Sequence, residues 1–226
     1  MSLTDDFDLI VFDFDGTLCD STRVKTDAFS ILYLDEHGQV FADRVRTYHL
    51  ANAGVARYDK IYHIETSMLG VEPSPERVEQ MAARYGNIVE SQVIAAPLFE
   101  GVDEFLEKQD VPVAIASATP TDELRRISRA KGIDSYFIAI EGSPRSKGDI
   151  LADYVDRFAT ARSRVLMVGD QPSDLAAAAQ AGTDFIAIVA EGEPVDWATP
   201  FPVVTDFEAF ADETARRKTA SERPVS

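Results

Sequence analysis

The chain of 226 residues is 45% hydrophobic, enough to bury a substantial core in one large domain or in a core domain with a smaller companion. A net charge of −17 and an isoelectric point near 4.5 argue against nucleic acid or an anionic membrane as partner, because both would be repelled. The single cysteine, Cys19, excludes an internal disulfide framework and fits a reducing cytoplasm, and neither a membrane-length apolar run nor a signal-peptide pattern is visible.

After a polar lead-in at residues 1–7, the run Leu9-Ile10-Val11-Phe12 reads as a short strand buried on both faces. It ends abruptly in Asp13, Asp15 and Gly16. Because strand side chains alternate, the two acids leave the strand end on one side while Phe12 and Phe14 turn into the core. Gly16 permits a sharp turn and a close ligand approach, and Thr17 can hydrogen-bond a carboxylate or the freed backbone. Two like charges held together call for a cation between them or a proton on one of them. A solvated acidic turn is the bland alternative, and the position directly after a buried strand argues against it. Cys19 reads as a small packing residue beside that strand.

From Ser21 to about Ala96 the periodicity is helical throughout. It predicts helices over about Arg23–Glu36 and Asp43–Ala51, a third marked by Val55, Tyr58, Ile61, Tyr62, Met68 and Leu69, and a fourth marked by Val78, Met81, Ala82, Tyr85, Ile88 and Val89. Ser74 is the N-cap of the last, with Pro75 at its first position. His37, His49 and His63 fall in this region without metal-ligand spacing.

Beyond Pro97 the pattern alternates. Helices are predicted over Val102–Gln109, Thr121–Lys131, Gly148–Phe158 and Ser173–Ala181, and strands over Pro112–Ser117, Tyr136–Ile140, Val165–Gly169 and Asp184–Val189. A short element near Pro202–Thr205 and a helix near Phe207–Glu213 close the edge, and Thr214–Ser226 reads as a frayed polar tail. The fold class is α/β: a Rossmann-like, doubly wound parallel sheet formed by residues 1–18 and 97–226, interrupted by an all-helical domain at 19–96.

Ligands bind at the carboxyl ends of the strands in such sheets. The strand over Val113–Ala116 ends in Ser117-Ala118-Thr119, a seat for a phosphate oxygen, with Thr119 also read as N-cap of the next helix ahead of Pro120. Lys147 opens a helix, an unfavourable place for a cation, which implies that carboxylates hold it. Asp170 ends the fourth strand and Asp174 lies one turn on. Hard oxygens from Asp13, Asp170 and a carbonyl near Asp15 suit Mg²⁺, with Asp174 acting through water or by orienting Lys147. An acidic surface needs such a metal and a few placed cations before it can host a phosphate. A carboxylate can attack phosphorus, and Asp15 is placed to protonate a leaving oxygen and then deprotonate water.

These residues resemble the haloacid dehalogenase superfamily of phosphohydrolases at four motifs in order: DFDGT at 13–17, Ser117 after an apolar strand, Lys147, and GDQPSD at 169–174. The resemblance covers about Leu9–Gly16 and Pro97–Val189. It implies Asp13 as nucleophile, Asp15 as acid/base, Ser117 and Lys147 as phosphate-holding groups, and Mg²⁺ organised by Asp13, Asp15, Asp170 and Asp174. Gly16, Thr17 and Ala118 belong with the substrate-binding set. The helical insertion is similar to the cap of phosphoglycolate phosphatase-like members.

Dehalogenases of the superfamily lack the second Asp, and Asp15 is present. The phosphonate-cleaving branch uses a cap lysine, and Lys25 and Lys60 exist, but DFDGT differs from that branch's motif. The rival is a mutase similar to β-phosphoglucomutase, because Gly54-Val55-Ala56-Arg57-Tyr58-Asp59 resembles the segment whose arginine holds the non-reacting phosphate. That pattern has a histidine ten residues past the second Asp, where this chain has Lys25. A non-enzymatic phosphate-binding scaffold on the same fold is the third reading. Arg23, Lys25, His49, Arg57, Tyr58 and Lys60 are candidates for substrate recognition. The expected activity is Mg²⁺-dependent hydrolysis of a small phosphorylated metabolite, a sugar phosphate or a phosphoglycolate-like acid, by a cytoplasmic monomer or weak homodimer.

Overall fold

A computed structural model describes residues 7–221 apart from residues 53, 160, 191, 193, 194 and 199; the lead-in at 1–6 and the final residues 222–226 lie outside the described residues. In chain order the elements are β1 (Leu9–Phe12), α1 (Thr22–Ala51), α2 (Arg57–His63), α3 (Pro75–Ala95), α4 (Val102–Lys108), β2 (Val113–Pro120), α5 (Thr121–Ala130), β3 (Phe137–Ser143), α6 (Lys147–Phe158), β4 (Val165–Gly169), α7 (Pro172–Ala181), β5 (Asp184–Ile188), β6 (Val203–Val204) and α8 (Phe207–Ser221).

The strands form one sheet in the order β3-β2-β1-β4-β5-β6, every neighbouring pair parallel. Ile10 sits beside Val113 on one side and Leu166 on the other, so β1 is central and its four residues are fully buried. Its alternation divides the core: Ile10 and Phe12 join one hydrophobic cluster, Leu9 and Val11 the other. After β1 the chain fills β2 and β3 to one side and then returns to β4 on the other. The order therefore reverses between β1 and β4, and the crevice beyond their carboxyl ends is where such sheets place ligands.

The region between β1 and α4 is helical, as the periodicity predicts. Gly38, at φ 75° and ψ 173°, divides α1 into the two expected segments. Helix α2 runs into a π-helical turn at Ile64–Met68, and Ser74 caps α3 by accepting from Arg77 N at 3.2 Å. Cys19 is buried against the Val93 and Ala96 carbonyls, in the packing role expected of it. Among the described residues, no helix is long and apolar enough to cross a membrane.

Two expectations are corrected. Strand β2 runs to Pro120 instead of ending at Ser117, with its pairing to β3 shifting register between Ala116 and Pro120. Helix α8 continues to Ser221 where fraying was expected from Thr214, which is buried and donates its hydroxyl to the Phe210 carbonyl at 2.9 Å. Aromatic packing explains the helix: Phe207 and Phe210 lie 6.0 and 5.9 Å from the Phe12 ring, with Phe105 completing the group. A Phe210→Ala substitution is expected to cost about 3–5 kcal/mol, read from the midpoint of urea unfolding. A loss of less than about 1 kcal/mol contradicts this anchoring of α8.

Candidate active site

Pairing of β1 with β4 brings together residues far apart in sequence. Asp13 follows β1, its N–H bonded to the Val168 carbonyl at 2.9 Å, and Asp170 follows β4. Asp174, in the first turn of α7 and fully buried, accepts from Gln171 N at 3.0 Å. Lys147, the first residue of α6, reaches Asp13 Oδ2 at 2.7 Å and Asp174 Oδ1 at 2.6 Å. Two carboxylates thus offset its unfavourable place at a helix N-terminus. Asp170 accepts from Thr17 Oγ1 at 3.0 Å and Gln171 Nε2 at 2.5 Å. Gly16 has φ +87°, and a Cβ there would collide with the Asp170 carboxylate, so the turn after β1 requires glycine.

Asp13, Asp170 and Asp174 each offer a carboxylate oxygen, and the three lie within 4.8 Å of one another. Burial, then Asp174, Asp170 and Asp15, push the Asp13 carboxyl up to about 8 against the opposing pull of Lys147. Burial and Asp174 push Asp170 up to about 6. Burial works against the Lys147 ammonium, yet Asp13 and Asp174 hold it above the usual lysine range. One lysine does not balance three carboxylates. Hard oxygens at this spacing fit a hard divalent cation such as Mg²⁺.

The Asp15 carboxylate stands apart from this cluster, which leaves its backbone carbonyl as the group it could offer a metal. It accepts from Ser21 Oγ at 2.6 Å, from Thr119 Oγ1 at 3.0 Å and from Lys25 Nζ. Although burial acts in the opposite direction, Lys25, Ser21 and Thr119 together hold Asp15 below the usual carboxylate range. Thr119 is not the N-cap of α5; because β2 continues to Pro120, its hydroxyl bonds Asp15 and accepts from Lys25 Nζ at 2.6 Å. Ser117 is buried, its Oγ accepting from Thr119 N at 3.1 Å.

The strand ends open into a cavity of about 590 Å³, its mouth included. Asp13, Asp15, Ser117, Ala118 and Asp170 line it from below, and Lys25, His49, Arg57 and Lys60 from the helical region. Arg23 is not there: its side chain is 89% exposed and pairs with Asp27. Tyr58 is half-buried and does not line the cavity. Arg57 is neither an exposed charge nor a free anion grip, since its guanidinium bonds Glu123 at 2.8 and 2.7 Å and lies 4.5 Å from the Tyr85 ring. Sequence reasoning missed Glu123 and Tyr85; an acid in the first turn of α5 satisfies the helix dipole and carries no sign of a distant partner. Gln171 was legible in principle, since GDQPSD places an amide between two of the carboxylates.

The pattern of the haloacid dehalogenase-like hydrolases matches residues 7–182, and the chain belongs to that family. Among curated proteins it is similar to the tyrosine-protein kinase PtkA of Mycobacterium tuberculosis (strain ATCC 25618 / H37Rv), 28% identical over 188 residues, covering 80% of this chain and 61% of PtkA. The chain thus spans less than two thirds of that relative's length. It is also similar to the probable phosphatase IndB of Dickeya dadantii (strain 3937), 29% identical over 195 residues and 80% of each protein. In three dimensions it is similar to a predicted phosphoglycolate phosphatase from Haemophilus somnus 129PT, with a TM-score of 0.73 and 21% identity over 92% of this chain and 98% of that one.

Asp13 and Asp170 bind protons more tightly in the fold than at their ordinary value of 3.8. The contribution of these two acids to metal-free stability therefore falls as pH rises from about 4 through 8, while His49 and Lys60, brought down to about 3 and about 7, contribute in the opposite sense. Adding MgCl₂ at roughly a hundred times its Kd is expected to raise the melting temperature by roughly 5–10 °C at pH 8, and by less at pH 5. A melting temperature indifferent to Mg²⁺ at pH 8 contradicts the charge balance described.

Proposed function

We propose that the protein is a Mg²⁺-dependent phosphatase acting on a small phosphorylated metabolite, with Asp13 as nucleophile. The observation that carries this reading is the Asp13 carboxylate, held by Lys147 at 2.7 Å beside Asp170 and Asp174 while Asp15 is held separately two residues on. Asp13, Asp170 and Asp174 would hold the metal, which when bound neutralises charge on the phosphoryl group and on the cluster.

In the first step an Asp13 oxygen attacks phosphorus, a P–O bond to Asp13 forms, and the bond to the leaving oxygen breaks. The proton shared by the Asp15–Lys25 pair passes to the leaving oxygen. Water then attacks phosphorus, returns a proton to that pair, and displaces the Asp13 oxygen, releasing inorganic phosphate. Lys147, Ser117 and the backbone N–H groups around Ala118 hold the phosphoryl oxygens. Thr17 contributes by fixing Asp170, and Gly16 by allowing the close turn.

Residues 19–96 act in this reading as a cap over a core of residues 1–18 and 97–226, excluding water while the phosphoryl group is on Asp13. The Arg57–Glu123 pair supports that closure, as does Gly54, where a Cβ would collide with Ser173. The same pair favours hydrolysis over a mutase, because the guanidinium that would grip a second phosphate is committed to Glu123. A cavity lined by both the strand ends and the helical region suits a small phosphate ester, such as a sugar phosphate or phosphoglycolate. The buried lone thiol fits a cytoplasmic enzyme.

Phosphate release from p-nitrophenyl phosphate is the test. The wild type is expected to require Mg²⁺, and Asp13→Asn, close in shape and unable to attack, to lose about a thousandfold or more of the rate with an unchanged circular dichroism spectrum. Equal rates for the two proteins would overturn the assignment.

A further inference from the structure

We infer that the cavity contains a second anion-binding point at Lys60, so that the substrate carries a carboxylate or a second phosphate on the part that leaves. The inference rests on the phosphatase reading above and specifies its substrate class.

Lys60, in α2, is 3% exposed and lines the cavity. Among the described residues, the other cations around it have carboxylate partners: Lys147 has Asp13 and Asp174, Lys25 has Asp15, and Arg57 has Glu123. No carboxylate lies within ion-pair distance of Lys60 among those residues. Its neighbours are His49 Nδ1 at 3.3 Å and the face of Phe29, with the ring centroid 5.6 Å away. An ammonium buried without a counter-ion costs several kcal/mol, so a fold that keeps one beside a cavity gains when the occupant supplies the charge. One ammonium is thus left for an oxyanion.

The electrostatics of the pocket agree. Burial, then Lys25 and Lys147, bring the Lys60 ammonium down to about 7, with Asp15 opposing. Burial, then Lys60, Lys25 and Arg46, bring His49 down to about 3, so its ring is neutral and does not compete for the anion. An anionic group entering from the substrate restores full charge to Lys60.

Phosphonates, whose carbon–phosphorus bond resists hydrolysis, allow binding to be measured apart from turnover. Calorimetry on the Mg²⁺-loaded protein would compare phosphonoacetate, ethane-1,2-diphosphonate and ethylphosphonate. The wild type is expected to bind one of the doubly anionic probes roughly 10–100-fold more tightly than ethylphosphonate. Preference for phosphonoacetate identifies a carboxylate, and preference for the diphosphonate a second phosphate. Lys60→Met is expected to abolish the preference while holding ethylphosphonate within about threefold, and Lys60→Arg to keep part of it. The unliganded Lys60→Met protein is expected to melt no lower than the wild type, since it removes an unbalanced buried charge. Equal binding of the three probes by the wild type overturns the inference, whether or not the variants fold, and so does an equal loss for all three in Lys60→Met. Absence of phosphate release from every ester, with the probe preference intact, overturns instead the phosphatase reading.

Discussion

Crowding of carboxylates at one edge of a parallel sheet is the constraint on which the rest of this protein depends. Asp13, Asp170 and Asp174 are brought within 4.8 Å because β1 and β4 are neighbours at the point where strand order reverses. Lys147 spans Asp13 and Asp174 and makes their proximity tolerable, and the remaining excess charge is what a divalent cation would relieve. Gly16, Thr17 and Gln171 are fitted around this balance. The glycine clears space for the Asp170 carboxylate, and the other two orient it.

Asp13 and Asp15 stand two residues apart and lie in opposite environments. The first faces other acids and holds its proton to a high pH; the second faces Lys25, Ser21 and Thr119 and gives its proton up readily. Environment thus gives two neighbouring carboxylates opposite proton affinities, the division that the proposed nucleophile and proton carrier require. Lys25 comes from α1, so the helical region between β1 and α4 contributes a contact to the site. The Arg57–Glu123 pair fastens the same helices to α5.

Much of the fold was legible because buried parallel strands and amphipathic helices leave periodic traces. Leu9–Phe12 announces a central strand by its lack of polar residues, and Ser74-Pro75 announces the start of α3 by its capping chemistry. Asp13, Lys147, Asp170 and Asp174 were legible for a related reason: charges at the ends of apolar strands converge once the sheet is known to be parallel. What sequence reasoning missed depends on partners distant in the chain. Nothing local tells that Arg57 meets Glu123, that the Asp15 carboxylate turns toward Lys25 and away from Asp170, or that Thr119 leaves a capping role because β2 runs on to Pro120. The polar appearance of the stretch after Glu213 likewise hid a buried Thr214, since helix α8 is anchored by Phe207 and Phe210 packing on Phe12.

The central claim is that these three aspartates form one cation site balanced by Lys147. Anomalous diffraction from crystals soaked in MnCl₂ tests it most directly. A single strong manganese peak bounded by Asp13, Asp170 and Asp174, with Lys147 still on Asp13, is the result expected. A cluster without manganese, or a peak seated on the Asp15 carboxylate in place of Lys25, would contradict it.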